Sequence, residues 1–134
     1  MKKLLLLPLL MIACFCFAQD AKDIIGKPVK IGTLLVAEKD FQKKMIWDDA
    51  KKACSALGKG WRLPTKSELN LLYKNKEKIE GFANNDGSVS PEYFSSTELG
   101  PSYVWVQIFD DTHYGKQGAG YKYYDHYVRA VKSL

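Results

Sequence analysis

Two amphipathic helices joined by a tight corner constrain this chain more than any other feature. Trp47, Ala50, Cys54 and Leu57 recur at three- and four-residue steps, which places them on one face of a helix, while Asp48, Asp49, Lys51, Lys52 and Ser55 fall elsewhere. The acids sit in the first turn and the lysines further on, as the helix dipole favours. Gly58 stops the helix with a left-handed cap. Gly60-Trp61-Arg62-Leu63-Pro64-Thr65 then turns the chain, and Pro64 drives Leu63 toward extended geometry. Thr65 and Glu68 have capping-box spacing, so a second helix starts here with Leu69, Leu72, Tyr73 and Lys76 on its inward stripe. Two short helices held by a rigid corner must share one core.

The flanking segments have strand texture. Val29 to Ala37 is β-branched and apolar, consistent with a strand in which Gly32 marks a bulge or the true start. Beyond Gly81, Asn84-Asn85-Asp86-Gly87-Ser88 is turn chemistry. The remainder alternates in the manner of antiparallel strands, near Tyr93–Thr97, Tyr103–Phe109, Gly120–Tyr124 and Tyr127–Lys132. On the second of these, Val104, Val106 and Ile108 face one way and Tyr103, Trp105, Gln107 and Phe109 the other, so both faces are at least partly covered. The fold class is therefore α+β, with two short helices packed on a twisted, irregular antiparallel sheet.

At the N-terminus, Lys2 and Lys3 precede an apolar run from Leu4 to Phe17. This is the pattern of a signal peptide, and the run is shorter than the roughly 20 residues a spanning helix needs. Residues 1–18 are read as the signal peptide, 19–28 as a lead-in and 29–134 as one domain that works in the periplasm or cell envelope, or is secreted. Met11-Ile12-Ala13-Cys14 loosely resembles a lipobox. Cleavage after Ala18 is favoured over acylation at Cys14, and membrane attachment is expected only through that cysteine. Cys14 and Cys16 would leave with the leader. Cys54 alone cannot form an internal disulfide, so the domain must be held by its core and not by crosslinks. The net charge of +5 is modest and is not the footprint of a nucleic-acid-binding protein.

Four blocks carry a resemblance: Trp47 to Cys54, Gly60 to Thr65 with Glu68-Leu69, Phe94-Ser95-Ser96-Thr97-Glu98, and Tyr127-Val128-Arg129-Ala130-Val131. In this order and spacing they resemble the Lcl C-terminal domain family and related FISUMP-type secreted modules, from about Val36 onward. The resemblance implies a C-type-lectin-like fold shared with formylglycine-generating enzymes. Those catalytic relatives use a cysteine pair, which this chain lacks after processing. The Glu-Pro-Asn, Gln-Pro-Asp and Trp-Asn-Asp signatures of calcium-dependent lectins are missing as well. No enzyme chemistry, cofactor or metal is therefore expected.

Individual residues have both plain and functional readings. Arg62 and Arg129 are expected to bind internal carbonyls or carboxylates, with an anion clamp at Arg62 as the alternative. Ser95, Ser96 and Thr97 suit backbone bonding at a strand end. Asn84, Asp86 and Asp110-Asp111 carry oxygen ligands without the spacing of a calcium loop, and His113 and His126 have no zinc spacing. The aromatic set is the most suggestive, because exposed rings offer large, rigid contact area. Trp105, Tyr114, Tyr121, Tyr124 and Arg62 are the ligand-binding candidates, and the loop from Asp110 to Gly120 lies beside them. The expected function is an exported, non-catalytic binding or adhesion module for a glycan or surface polymer. Another protein is a further partner open to such a module, and the alternative is a structural or assembly domain of the cell envelope, oligomeric and with no small-molecule ligand.

Overall fold

The computed structural model describes residues 21–134; the segment expected as a signal peptide, with Cys14 and Cys16, lies outside them. Helical residues 21–25 lead in, and Ile24 is buried in the core. β1 (Val29–Ile31) and β2 (Leu34–Val36) follow. α1 (Trp47–Ala56), β3 (Trp61–Arg62), α2 (Lys66–Lys74) and the single turn α3 (Lys76–Ile79) come next. β4 (Glu92–Glu98), β5 (Tyr103–Ile108), β6 (Gln117–Tyr121) and β7 (Val131–Ser133) complete the chain.

The apolar stretch from Val29 is a hairpin and not one strand. Gly32 adopts φ +59, and β1 folds back so that Val29 faces Val36. Nor is there a single sheet. A four-stranded sheet runs β1-β2-β7-β3 and a three-stranded one β4-β5-β6, every pair antiparallel. β6 begins three residues earlier than Gly120 and ends at Tyr121, which shortens the preceding loop and leaves Tyr123 and Tyr124 in a turn. The segment expected as a strand from Tyr127 pairs regularly only from Val131, after isolated bridges at His126 and Tyr127.

The helices form for the reasons legible in the sequence. Thr65 Oγ1 accepts from Glu68 N at 3.2 Å, while Glu68 Oε1 accepts from Thr65 N at 2.9 Å. α1 buries Trp47, Ala50 and Cys54 against Phe94, Val104, Val106, Val128 and Ala130. α2 and α3 bury Leu69, Leu72 and Ile79 against Val36, Tyr93, Phe109 and Val131. The two helices thus pack into separate hydrophobic clusters, and not into the single shared core expected from the sequence. Cys54 is a core hydrophobe, and burial pushes its thiol up to about 12, far from thiolate chemistry at neutral pH.

Candidate functional site

The outward face of β5 and β6 gathers the aromatic side chains. Tyr103 pairs with Tyr121 across the ladder and Trp105 with Ala119, so the alternation of a strand places Tyr103, Trp105 and Tyr121 on one surface. The turn after β6 then swings Tyr123 and Tyr124 back onto Tyr121, with ring centroids 5.1 and 5.0 Å away and planes inclined at 64° and 70°. Tyr103 closes the set at 5.6 Å. Tyr121 is half-buried at the centre, while Tyr103, Tyr123 and Tyr124 are 46%, 60% and 66% exposed.

Beside these rings lies a cavity of about 470 Å³ lined by Glu92, Tyr103, Ala119, Gly120, Tyr121, Tyr124 and His126. Gly120 is required in its wall, because a Cβ there would stand 2.3 Å from Val106 Cγ1. Glu92, Tyr124 and His126 also border a second cavity of about 440 Å³ that reaches Lys44, Asp86, Ser88 and Asp125. The two cavities adjoin at these three residues, and the cleft is the pair of them. An apolar groove of about 290 Å³ between Ile24, Phe41, Met45 and Leu57 lies elsewhere, beside the first described residue.

Glu92 and His126 meet in the cleft, with His126 Nδ1 3.3 Å from Glu92 Oε2. The His126 side chain is only 13% exposed, its ring packs edge-on against Phe94, and its Nε2 has no partner among the described residues. A proton on Nε2 would be a buried donor with nothing to bond. Burial, aided by the charge of Lys44 and opposed by Asp125, accordingly holds the imidazole below its ordinary 6.5. Burial likewise holds the Glu92 carboxyl above its ordinary 4.5.

The histidine has a consequence for pH. A histidine whose folded pKa is depressed leaves the unfolded chain binding more protons, so its contribution to stability is lost as pH falls below 6.5. The raised Glu92 acts with the opposite sign as pH climbs above 4.5, which makes the difference between two proteins the useful readout. Thermal midpoints measured between pH 5 and pH 7.5 should fall more steeply on acidification in the wild type than in His126→Gln. Parallel curves would show that the imidazole is not held neutral.

The expected site residues separate. Tyr121 and Tyr124 come together at the cleft. Trp105 shares their surface, but Lys66 Nζ covers its ring at 3.4 Å. Tyr114 is 88% exposed with φ +53 in the hairpin loop at the opposite end of β5 and β6. Arg62 makes the internal bonds expected of it, to Glu68 with Nη1–Oε1 2.6 Å and Nη2–Oε2 3.0 Å, and to Ser133 Oγ at 2.8 Å. The Glu68 hydrogen bonds raise the Arg62 pKa, and they lower that of Glu68. The hydroxyls also bond backbone as expected: Ser95 Oγ donates to Trp105 O at 2.6 Å, and Thr97 Oγ1 accepts from Lys66 N at 2.9 Å. Sequence reasoning missed Glu92, and it weighed His126 only as a zinc ligand. Neither carries a local signal, because they meet through the isolated bridges Tyr93–Tyr127 and Met45–His126.

One other cluster brings a serine, a histidine and an aspartate together. Ser90 Oγ lies 3.2 Å and Asp110 Oδ1 2.9 Å from the same atom, Nδ1 of His113. A nucleophilic relay needs the base to address serine and aspartate through different ring nitrogens, so this arrangement is a structural knot. Burial raises the Asp110 carboxyl, but hydrogen bonds from Ser90, His113 and Thr112 outweigh it and hold the group well below the usual carboxylate range. Among the described residues no group of three or more His, Cys, Asp or Glu side chains could hold a metal ion.

The arrangement of helices and sheets is that of the C-type-lectin-like fold. Convulxin, a snake venom toxin, superposes with a TM-score of 0.59 at 11% identity over 81% of this chain and 96% of its own. Botrocetin does so with a TM-score of 0.59 at 13% identity over 81% and 96%. EMS16, an antagonist of the collagen receptor integrin alpha2beta1, gives 0.56 at 10% identity over 80% and 97%. At such identities these structures speak to the fold and not to the ligand. No curated protein matches the sequence. The family profile of the Lcl C-terminal domain matches residues 22–132, which takes in α1 to α3, β1 to β6, most of β7 and every residue of the tyrosine cleft: this chain belongs to the Lcl C-terminal domain family.

Proposed function

We propose that this domain is a non-catalytic binding module, exported from the cytoplasm, that grips a glycan or surface polymer through the cleft beside Tyr121. One observation carries the reading. Tyr103, Tyr123 and Tyr124 each pack against Tyr121, the first tilted and the other two edge-on, yet leave much of their own surface to solvent. Rings fixed this way present apolar area and hydroxyls with little entropy left to lose on binding, which suits stacking against a sugar ring.

A glycan and polymer array probed with the purified protein at low and physiological salt tests this. Tyr124→Ala should lower the affinity for the bound glycan at least about tenfold, as truncation of an aromatic anchor does. Its folding stability should stay within about 0.5 kcal/mol, since the ring is on the surface. A silent array, or equal binding by the variant, overturns the reading. Silence together with a stable oligomer in solution would favour an assembly role.

A further inference from the structure

Among the described residues, the cleft lacks the cations that cover five other rings. Lys66 sits 3.4 Å over Trp105; Lys51 and Lys122 sit 3.7 and 4.7 Å over Trp47. Arg129 lies 4.2 Å over Phe82, Lys76 5.2 Å over Tyr73 and Lys44 5.5 Å over Tyr127. The chain thus places a cation of its own on ring after ring, as the quadrupole of an aromatic face invites. Among the described residues none is placed over Tyr103, Tyr121, Tyr123 or Tyr124. Lys122, flanked by Tyr121 and Tyr123 in sequence, turns away to Trp47, to Glu98 Oε2 at 3.2 Å and to Pro101 O at 3.0 Å.

The cleft also holds a carboxylate without a permanent positive partner. Glu92 lines the same cavity as Tyr103, Tyr121 and Tyr124. Its only ion-pair neighbour among the described residues is His126, whose surroundings keep it neutral. Lys44, the lysine on the adjoining side of the cleft, stands over Tyr127, and the acids there, Asp86 and Asp125, add further negative charge. In a chain of net charge +5, this is a local acidic and aromatic recess.

We infer that the recess takes an organic ammonium group, a positive charge carried on a compact tetrahedral centre, as the charged unit of the ligand. The inference rests on the binding-module reading above and names the chemistry of that same site. Rings inclined at 55–70° to one another wall a compact group better than a flat guanidinium. Calcium takes six to eight oxygens, and among the described residues Glu92, Asp86 and Asp125 form no group of three that could hold a metal ion. Two sources would supply the charge: the protonated amine of an amino sugar, or a quaternary ammonium of the choline type.

Titration of the purified protein with two matched pairs, followed by tyrosine fluorescence at low salt, separates the alternatives. The pairs are choline against its neutral isostere 3,3-dimethyl-1-butanol, and glucosamine against N-acetylglucosamine. The charged member of at least one pair should bind about 3- to 30-fold more tightly than its neutral partner, the range expected for a cation on aromatic faces. The pair that shows the preference identifies the source. Glu92→Gln, which keeps size and hydrogen bonding, should erase most of the preference, with an unchanged thermal midpoint confirming that the fold survives. Equal binding within both pairs, or a preference indifferent to Glu92→Gln, overturns the inference. Binding of neutral glycans through Tyr124 with no response to either ammonium sinks the ammonium inference and leaves the binding-module reading standing. A silent glycan array with no response to any of the four compounds sinks both.

Discussion

Replacing Arg129 by leucine should cost about 3–5 kcal/mol of folding stability, the range for removing one partner of a buried ion pair. Arg129 is 1% exposed and serves two segments far from it in sequence, 37–40 and Glu80. Its Nε donates to Asp40 Oδ1 at 2.7 Å, Nη1 to Ala37 O at 3.1 Å, and both Nη atoms to Glu80 O at 3.3 Å. Glu80 and Gly81 are in left-handed conformations, φ +66 and +75, so the guanidinium also steadies a strained turn. Asp40 accepts from the Tyr93 hydroxyl as well, and Tyr93 is fully buried. Burial pushes the Asp40 carboxyl up, and the Arg129 charge and Tyr93 hydroxyl pull it back only in part. Without Arg129 that carboxylate is a buried charge with too few donors. Urea denaturation of the variant gives the number, and a loss under about 1 kcal/mol would mean that water replaces the guanidinium. Adding Asp40→Leu to the same chain should recover part of the loss, because removing both charges leaves neither unpaired.

Trp47→Ala should be nearly as damaging, at about 3–5 kcal/mol by the usual cost of emptying a large aromatic site. Trp47 opens α1, whose N-cap residue Ile46 makes no side-chain cap bond. The tryptophan substitutes for one: its backbone N–H donates to Lys122 O at 3.0 Å and its indole Nε1 to Ser95 O at 3.0 Å. Truncation therefore opens a cavity, orphans the Ser95 carbonyl and removes the ring beneath Lys51 and Lys122. Trp47→Phe, which retains most of the volume and loses the indole donor, should cost about 1–3 kcal/mol, the penalty for a buried acceptor left bare. Equal losses in the two variants would assign the whole effect to Ser95 O and not to packing.

How much of this was legible in the sequence depends on the range of the interaction. The two helices and the corner between them follow from spacings of three and four residues, and the Thr65–Glu68 box formed as those spacings dictate. The internal commitments of Arg62 and Arg129, and the burial of Cys54, followed from the cost of leaving charge unpaired or a small hydrophobe exposed. The limits appear where side chains carry no pattern. Gly118, Ala119 and Gly120 offer no alternation, so the start of β6 was invisible, and a single glycine hid the turn between β1 and β2. The division into two sheets, like the meeting of Glu92 with His126, depends on pairings between residues remote in sequence that no local window contains. Tyr121 and Tyr124 could be named as candidates, but their arrangement around a cavity could not.

The position of β7 governs when this domain can exist. The last strand is not at an edge: it lies between β2 and β3, matching Val131 with both Val36 and Arg62. The four-stranded sheet therefore stays in two pieces until nearly all of the described chain is present, and Arg129 reaches Asp40 only at the same moment. Closing so long a loop costs entropy before any contact returns it, and such topologies fold slowly. A chain cut short before Val131 would keep the pairings β1-β2 and β4-β5-β6 and lose the one strand that joins β2 to β3.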